Sequence, residues 1–378
     1  MTADLPGDLS KTAFAFRGYN VTNLGRSQAL LLHRKYGPIV RETLREAEDI
    51  YRDILGKRPR LVERVRLGRE TSLRSYAEAI ALIVAMELAQ LRLLEEFYGI
   101  RIQQGRCAFG YSLGELTALA ACGVIDMKGA LSIPLAMSGE CAELAHDVTM
   151  GVLFSRGEAL SLATVEEICL KINQHGEGVI GISAIPSPNT VLLLGQRDTI
   201  EHFKAAMKDR FPKQVHLRIN QHRWPPLHSP LVWERSIPNR SAYLMHVMEG
   251  GFEPPTPPIL SLVTGKASYH GANTRALVHQ WIDHPQRLWD VLCETLNEGV
   301  QTIVHVGPEP NLIPATYHRL SDNVQQQILS YGSLGARAMK GIARRRWLTN
   351  LLPKRTALVR VIDVEHVILE DWLLANAP

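Results

Sequence analysis

The stretch from Cys107 to Asp126, CAFGYSLGELTALAACGVID, constrains this chain more than any other. An apolar run enters Gly110, Ser112 stands between two glycines as Gly110-Tyr111-Ser112-Leu113-Gly114, and helical spacing of apolar residues resumes at once. Strand, tight turn and helix in that order make a nucleophile elbow, in which a serine hydroxyl projects from a sharp bend. There the Leu113 amide opens a helix, and both its N–H and the helix dipole favour negative charge on an oxygen beside Ser112. The same residues also read as an ordinary helix start, with Ser112 as N-cap and Glu115 three residues on completing a capping box. Pattern alone leaves both readings open.

A serine hydroxyl attacks poorly without a base, and histidine is the usual one. Of fourteen histidines, His33, His202, His279 and His284 stand in charged or amphipathic surroundings that suit a solvated or merely satisfied ring. His228 differs, because WPPLHSPLV holds it in a short loop bracketed by prolines.

Around this stretch the chain alternates strand-like and helical patterns, which indicates an α/β fold. TAFAF predicts a buried strand running into a glycine loop, and residues 72–97 carry a long apolar-faced helix. From about Gly151 the order becomes β-α-β-β-α-β, the signature of a ferredoxin-like unit. The expected organisation is a large core over residues 1–148 and 220–334, a small inserted subdomain over 149–219, and a C-terminal basic extension over 335–378.

With 46% apolar and 21% charged residues the composition is that of a folded globular protein. Charged and amide residues interrupt the longest apolar run, so no membrane span is expected, and a polar N-terminus without a secretion pattern suggests a cytoplasmic protein. Five scattered cysteines without paired spacing argue against a disulfide framework or a metal site. The charge of +4 is unevenly spread. One basic zone runs from Lys57 to Arg74; another, free of acidic residues, contains Arg337, Lys340, Arg344, Arg345, Arg346, Lys354, Arg355 and Arg360. Each is either a solvated helix face or a footprint for an acidic partner. Neither shows the interleaved aromatics or reader motif that nucleic acid would require.

Taken together, GYSLGELTALAACGVID, PPLHSPLV, FEPPTPPILSLVTG, HPQRLWDVLCETLNEGVQTIVHVGPEPNL and the β-α-β-β-α-β insert resemble, in order and separation, the malonyl-CoA:acyl carrier protein transacylase family, which includes the acyltransferase domains of polyketide synthases. The likeness covers about residues 12–332. It implies an α/β-hydrolase-like core with a parallel sheet and a ping-pong reaction without a permanently bound cofactor. Ser112, deprotonated by His228, would take an acyl group from an acyl-CoA thioester and pass it to the phosphopantetheine thiol of an acyl carrier protein. The resemblance further implies a backbone carbonyl near Pro285–Arg287 that orients His228, and an oxyanion hole from the amides of Leu113 and Tyr19. Because carrier proteins are acidic, zones 57–74 and 337–355 become candidate docking surfaces.

Three positions depart from the family pattern. Tyr19 replaces a glutamine in the N-terminal glycine loop, and Tyr111 replaces the histidine before the nucleophile. Where malonyl-selective members place an arginine for the substrate carboxylate, this chain has Met137-Ser138-Gly139, with no arginine between Arg106 and Arg156. Burying that carboxylate unpaired would cost on the order of several kcal/mol, so either another acyl group is used or a basic residue such as Arg287 substitutes. These departures point to a specialised member serving a secondary-metabolite synthase. Two alternatives share the scaffold: a hydrolase that clears acyl groups from carrier proteins, and a non-catalytic carrier-protein-binding module. A generic α/β-hydrolase would require a histidine nearer the C-terminus.

Overall fold

The computed structural model describes residues 5–332, 346–351 and 355–378. Its strands are β1 Thr12–Phe16, β2 Cys107–Gly110, β3 Val148–Ser155, β4 Ile180–Ser187, β5 Thr190–Gln196, β6 Val215–Asn220, β7 Leu260–Ser261, β8 Lys266–Ala267, β9 Thr302–Val306 and β10 Glu365–Ile368.

The larger sheet has the order β10-β9-β1-β2 and is parallel throughout. Parallel strands covered on both faces read as continuous apolar runs, and TAFAF is buried at all five positions. Alternation along β1 divides the core. Phe14 and Phe16 pack on one side with the long helix Tyr76–Tyr98, while Ala13 and Ala15 join Phe109, Ile303 and the helix Leu288–Asn297 on the other.

The segment expected as an insert forms a separate antiparallel sheet of order β4-β5-β3-β6. Its helices, Leu162–Gln174 and Thr199–Ala206, bury Val165, Ile168, Ile200 and Phe203 against Leu153, Val191 and Leu193. By strand alternation Met150, Val152 and Phe154 of β3 and Leu192 and Leu194 of β5 belong to the opposite face.

The last residues differ from a simple appended extension. Strand β10 continues the larger sheet by pairing with β9 from Glu365↔Thr302 to Ile368↔His305. Glu370, buried just beyond it, accepts hydrogen bonds from the amides of Arg26 at 2.8 Å and Glu309 at 2.9 Å. Val367 and Leu369 explain why this end joins the sheet, since both are buried in the core beside β9.

Of the two basic zones, Arg337, Lys340, Arg344, Arg345 and Lys354 lie outside the described residues. In the other zone Arg58 pairs with Asp49 at 3.3 Å, Arg60 with Glu63 at 3.4 Å, and Arg64 with Glu78. Lys57, Arg66, Arg69 and Arg74 are exposed and make no ion pair among the described residues. The five cysteines are buried and free. Among the described residues no helix is long and apolar enough to cross a membrane, and no cluster of His, Cys, Asp or Glu is placed to hold a metal ion.

Candidate active site

Ser112 lies at the end of β2, immediately before the helix Leu113–Ala121. Its backbone takes φ 54° and ψ −119°, a conformation that costs a non-glycine residue about 1–3 kcal/mol. The flanking glycines make the bend possible. A Cβ on Gly110 would meet the Gly114 carbonyl carbon at 2.0 Å, and one on Gly114 would meet the carbonyl oxygens of Phe16 and Arg17 at 2.5 Å. Both positions lie where one backbone crosses another, so the spacing of the motif follows from contact.

The capping reading does not survive this geometry. An N-cap residue takes extended dihedrals and its side chain accepts from the first turn, whereas Ser112 has positive φ and makes no such bond. Glu115 is buried and turned elsewhere. Its carboxylate accepts from Ser261 Oγ at 2.6 Å, Tyr269 Oη at 2.7 Å and the Leu262 amide at 3.0 Å, tying the helix to the β7 turn. Burial raises its pKa to about 7, against the opposing pull of these donors.

Ser112 Oγ is 2.7 Å from His228 Nε2. His228 is 5% exposed, and its Nδ1 lies 2.6 Å from the carbonyl oxygen of Trp281. A carbonyl only accepts, so Nδ1 carries the proton and Nε2 is left as the acceptor facing the serine. Desolvation pushes the imidazole pKa down to about 4, opposed by the Trp281 carbonyl and by the charge of Asp283, so the ring is neutral at pH 7. The His228 amide also donates to Ile282 O at 2.7 Å.

The carbonyl that holds His228 thus comes from Trp281 rather than from the Pro285–Arg287 loop. Trp281 stands in the last turn of the helix Thr274–Asp283, where carbonyls have no partner within the helix and remain free to accept. The same residue returns to the elbow, its indole Nε1 donating to Ser112 O at 2.9 Å.

Gln286 also went unrecognised in the sequence. It is fully buried; its Oε1 accepts the Ser112 amide at 3.0 Å, and its Nε2 lies 3.2 Å from His228 Nδ1. The first bond fixes the amide orientation, because a backbone N–H needs an oxygen. The second contact then sets two N–H groups side by side and is not a hydrogen bond. No local pattern marks either Trp281 or Gln286, since both act through backbone groups distant in sequence.

Above the serine lies the loop after β1. A Cβ on Gly18 would be 3.2 Å from Ser112 Cβ, so the backbone leading into Tyr19 passes directly over the elbow. Arg17 shapes this loop from within. Its buried guanidinium donates to Gly18 O at 2.9 Å, Asn23 Oδ1 at 2.7 Å, Thr22 O at 3.2 Å and Pro308 O, while its amide donates to Glu87 at 2.8 Å. Neither the Leu113 nor the Tyr19 amide has a partner among the described residues.

Ser112 and His228 open into a cavity of about 1140 Å³, which Tyr19 and Tyr111 also line. The remaining expected pocket residues lie elsewhere. Met137 is buried in the core, and Ser138 Oγ donates to Leu135 O at 2.7 Å. Arg287 turns away from the cavity to pair with Asp290 at 2.7 Å. Its position just before the helix Leu288–Asn297 favours that local pair at i, i+3 over a reach into the pocket.

No family model matches the chain. Among curated proteins it is 25% identical over 232 residues to polyketide synthase GfsA of Streptomyces halstedii, covering 60% of this chain and 3% of that protein. It is 27% identical over 316 residues to the phenolphthiocerol synthesis polyketide synthase Pks15/1 of Mycobacterium marinum, covering 81% and 13%. The chain therefore spans only a small part of such relatives. Among solved structures, FabD from Acinetobacter baumannii superposes with a TM-score of 0.66 at 20% identity, covering 82% of this chain and 91% of that one. The acyltransferase domain from module 8 of the salinomycin polyketide synthase gives 0.63 at 17% identity, covering 96% and 77%. A third neighbour, with a TM-score of 0.61 at 21% identity over 81% and 92%, is a malonyl-transacylase in complex with a type II polyketide acyl-carrier protein. The chain is thus similar in fold to malonyl-CoA:acyl carrier protein transacylases and similar in sequence to part of polyketide synthases.

Proposed function

We propose that this chain is an acyltransferase that moves an acyl group from coenzyme A to the phosphopantetheine thiol of an acyl carrier protein through an acyl-Ser112 intermediate. The observation that carries the reading is the 2.7 Å contact between Ser112 Oγ and a buried His228 whose other nitrogen is held by a carbonyl.

Ser112 Oγ attacks the thioester carbonyl carbon as Nε2 of His228 takes its proton. The carbonyl oxygen becomes an oxyanion, for which the amides of Leu113 and Tyr19, without a partner among the described residues, are the donors. Collapse breaks the carbon–sulfur bond, and the departing thiolate of coenzyme A takes the proton from Nε2. In the second half the phosphopantetheine thiol gives its proton to Nε2 and attacks the acyl-serine, and Ser112 Oγ leaves with that proton. The dyad needs no carboxylate, because the Trp281 carbonyl fixes the tautomer and faces the imidazolium that forms. The donor and acceptor arms occupy the same cavity in turn.

On this reading the larger sheet and its helices form an α/β-hydrolase-like core, and residues 149–219 form a ferredoxin-like subdomain that roofs the cavity. The acyl group is malonyl or a related acyl. Met137 and Ser138 supply no cation where malonyl-selective relatives have one, and Arg287 is engaged with Asp290. Polyketide or another secondary-metabolite synthesis is the setting favoured by the relatives. The exposed Lys57, Arg66, Arg69 and Arg74 are the candidate contacts of zone 57–74 for an acidic carrier protein.

The test is a two-step incubation, first with a panel of acyl-CoAs and then with holo carrier protein, followed by intact mass. Transfer of the acyl mass to the carrier supports the transferase. Release of free acid with no acyl-carrier formed makes the chain a hydrolase instead.

A further inference from the structure

The cavity that holds Ser112 and His228 is lined by no aspartate or glutamate among the described residues, yet three arginines reach it. Arg17 is buried and spends its guanidinium on backbone and side-chain oxygens of its own loop. Arg218 and Arg319 are different. Both are exposed, and neither makes an ion pair or hydrogen bond among the described residues.

Their positions follow from the fold. On β6 the register sets Arg218 opposite Val152 of β3, which in turn faces Leu192 of β5. The neighbouring rows are Asn220, Met150, Leu194 and His216, Phe154, Thr190. Arg218 therefore belongs to the sheet face that the two helices leave uncovered, and it is the one side chain in these rows with a fixed charge. Arg319 comes from a different wall. It lies on the helix Leu312–Gly332, where Thr316, Arg319, Leu320 and Asn323 follow the spacing of a single helix face and all line the cavity.

Two guanidiniums on separate elements border one cavity with no carboxylate partner among the described residues, an arrangement that attracts anions. Both are exposed, whereas Ser112 is half-buried and His228 buried. The group that belongs there is one that travels with the thiol but lies at the far end of a long flexible arm. We propose that Arg218 and Arg319 bind the phosphate that terminates the pantetheine arm, as a diphosphate in coenzyme A or as a phosphodiester on a carrier protein. This rests on the acyl-transfer reading above. It adds the residues that hold the arm and predicts which substrates lose most when they are removed.

The experiment compares wild type with Arg218→Ala, Arg319→Ala and the double variant. Each is assayed with one acyl group presented on coenzyme A and on N-acetylcysteamine, which carries the thioester without a phosphate. The ratio of kcat/KM for the coenzyme A ester to that for the short ester is expected to fall about tenfold per arginine, the loss of one charge-assisted hydrogen bond. Using holo carrier protein and free pantetheine as alternative acceptors reads the same ratio in the second half-reaction and tells the two phosphate sources apart. A ratio unchanged in both halves, whether or not the rates fall together, overturns the proposal. So does a loss confined to malonyl and absent for propionyl on the short carrier, which would make these arginines a carboxylate clamp. If wild type forms no acyl-enzyme at all, the transfer reading fails separately. Calorimetric binding of coenzyme A against pantetheine then still decides whether these arginines hold phosphate.

Discussion

Trp281 holds both members of the dyad: its carbonyl oxygen takes His228 Nδ1 at 2.6 Å, and its indole nitrogen donates to Ser112 O at 2.9 Å. One residue at a helix end thus sets the tautomer of the base and braces the strained turn that carries the nucleophile. Trp281→Phe keeps the carbonyl and removes only the indole donor, leaving the Ser112 carbonyl without that partner. We expect acylation to slow about tenfold and stability to fall by about 1–3 kcal/mol, read by single-turnover mass spectrometry and thermal unfolding. An unaltered rate would show that the brace is dispensable.

Gln286→Leu removes the acceptor of the Ser112 amide while keeping much of the buried volume. The expected result is an acylation rate reduced by about tenfold, with Gln286→Glu recovering part of it because a carboxylate oxygen also accepts. Equal loss in both variants would point to packing alone.

The pH dependence follows from His228. Its pKa is depressed to about 4, so the neutral base is present from neutral pH down to about pH 5, and acylation should stay level there and decline as pH falls through 4. For stability, the unfolded ring takes up a proton below about 6.5 while the folded one resists until about 4. The contribution of this site is therefore full above 6.5 and lost as pH drops to 4. His228→Gln, monitored by chemical unfolding between pH 4 and 8, should flatten that part of the profile. An acylation midpoint near 6.5 would mean that the ring is solvated.

Gly110→Ala introduces a Cβ where the Gly114 carbonyl carbon would be 2.0 Å away. Overpacking against backbone has no flexible side chain to relieve it, so a loss of about 3 kcal/mol or more is expected together with loss of acylation. Thermal unfolding and acyl-adduct yield check both. Retention of the adduct at wild-type stability would refute the close crossing of backbones at the elbow.

Where the signal was local, the sequence was readable. The strand entering Gly110, the helix after Ser112 and the β-α-β-β-α-β order each depend on spacing within a few residues, and the structure has all of them. His228 stood out because prolines bracket it. Trp281 and Gln286 did not, because the first contributes a carbonyl, which every residue has, and the second acts across 174 residues on the Ser112 amide. The capping alternative for Glu115 falls for the converse reason. Its i+3 spacing from Ser112 matches a capping box, but the backbone at Ser112 has the wrong dihedrals to cap, and a tertiary partner set of Ser261, Leu262 and Tyr269 takes the carboxylate. Arg287 failed as a pocket residue because Asp290 is a nearer partner. The end of the chain read as an extension, since a single apolar strand following a basic stretch reveals nothing of the edge on which it pairs.

The most direct test of the central claim is peptide mapping of the acyl adduct after brief exposure to the best acyl-CoA. The account predicts one acyl group on the peptide containing Ser112 in wild type, none in Ser112→Ala, and formation slowed by at least about a hundredfold in His228→Ala. An adduct on any other residue, or one of undiminished rate without His228, would contradict it.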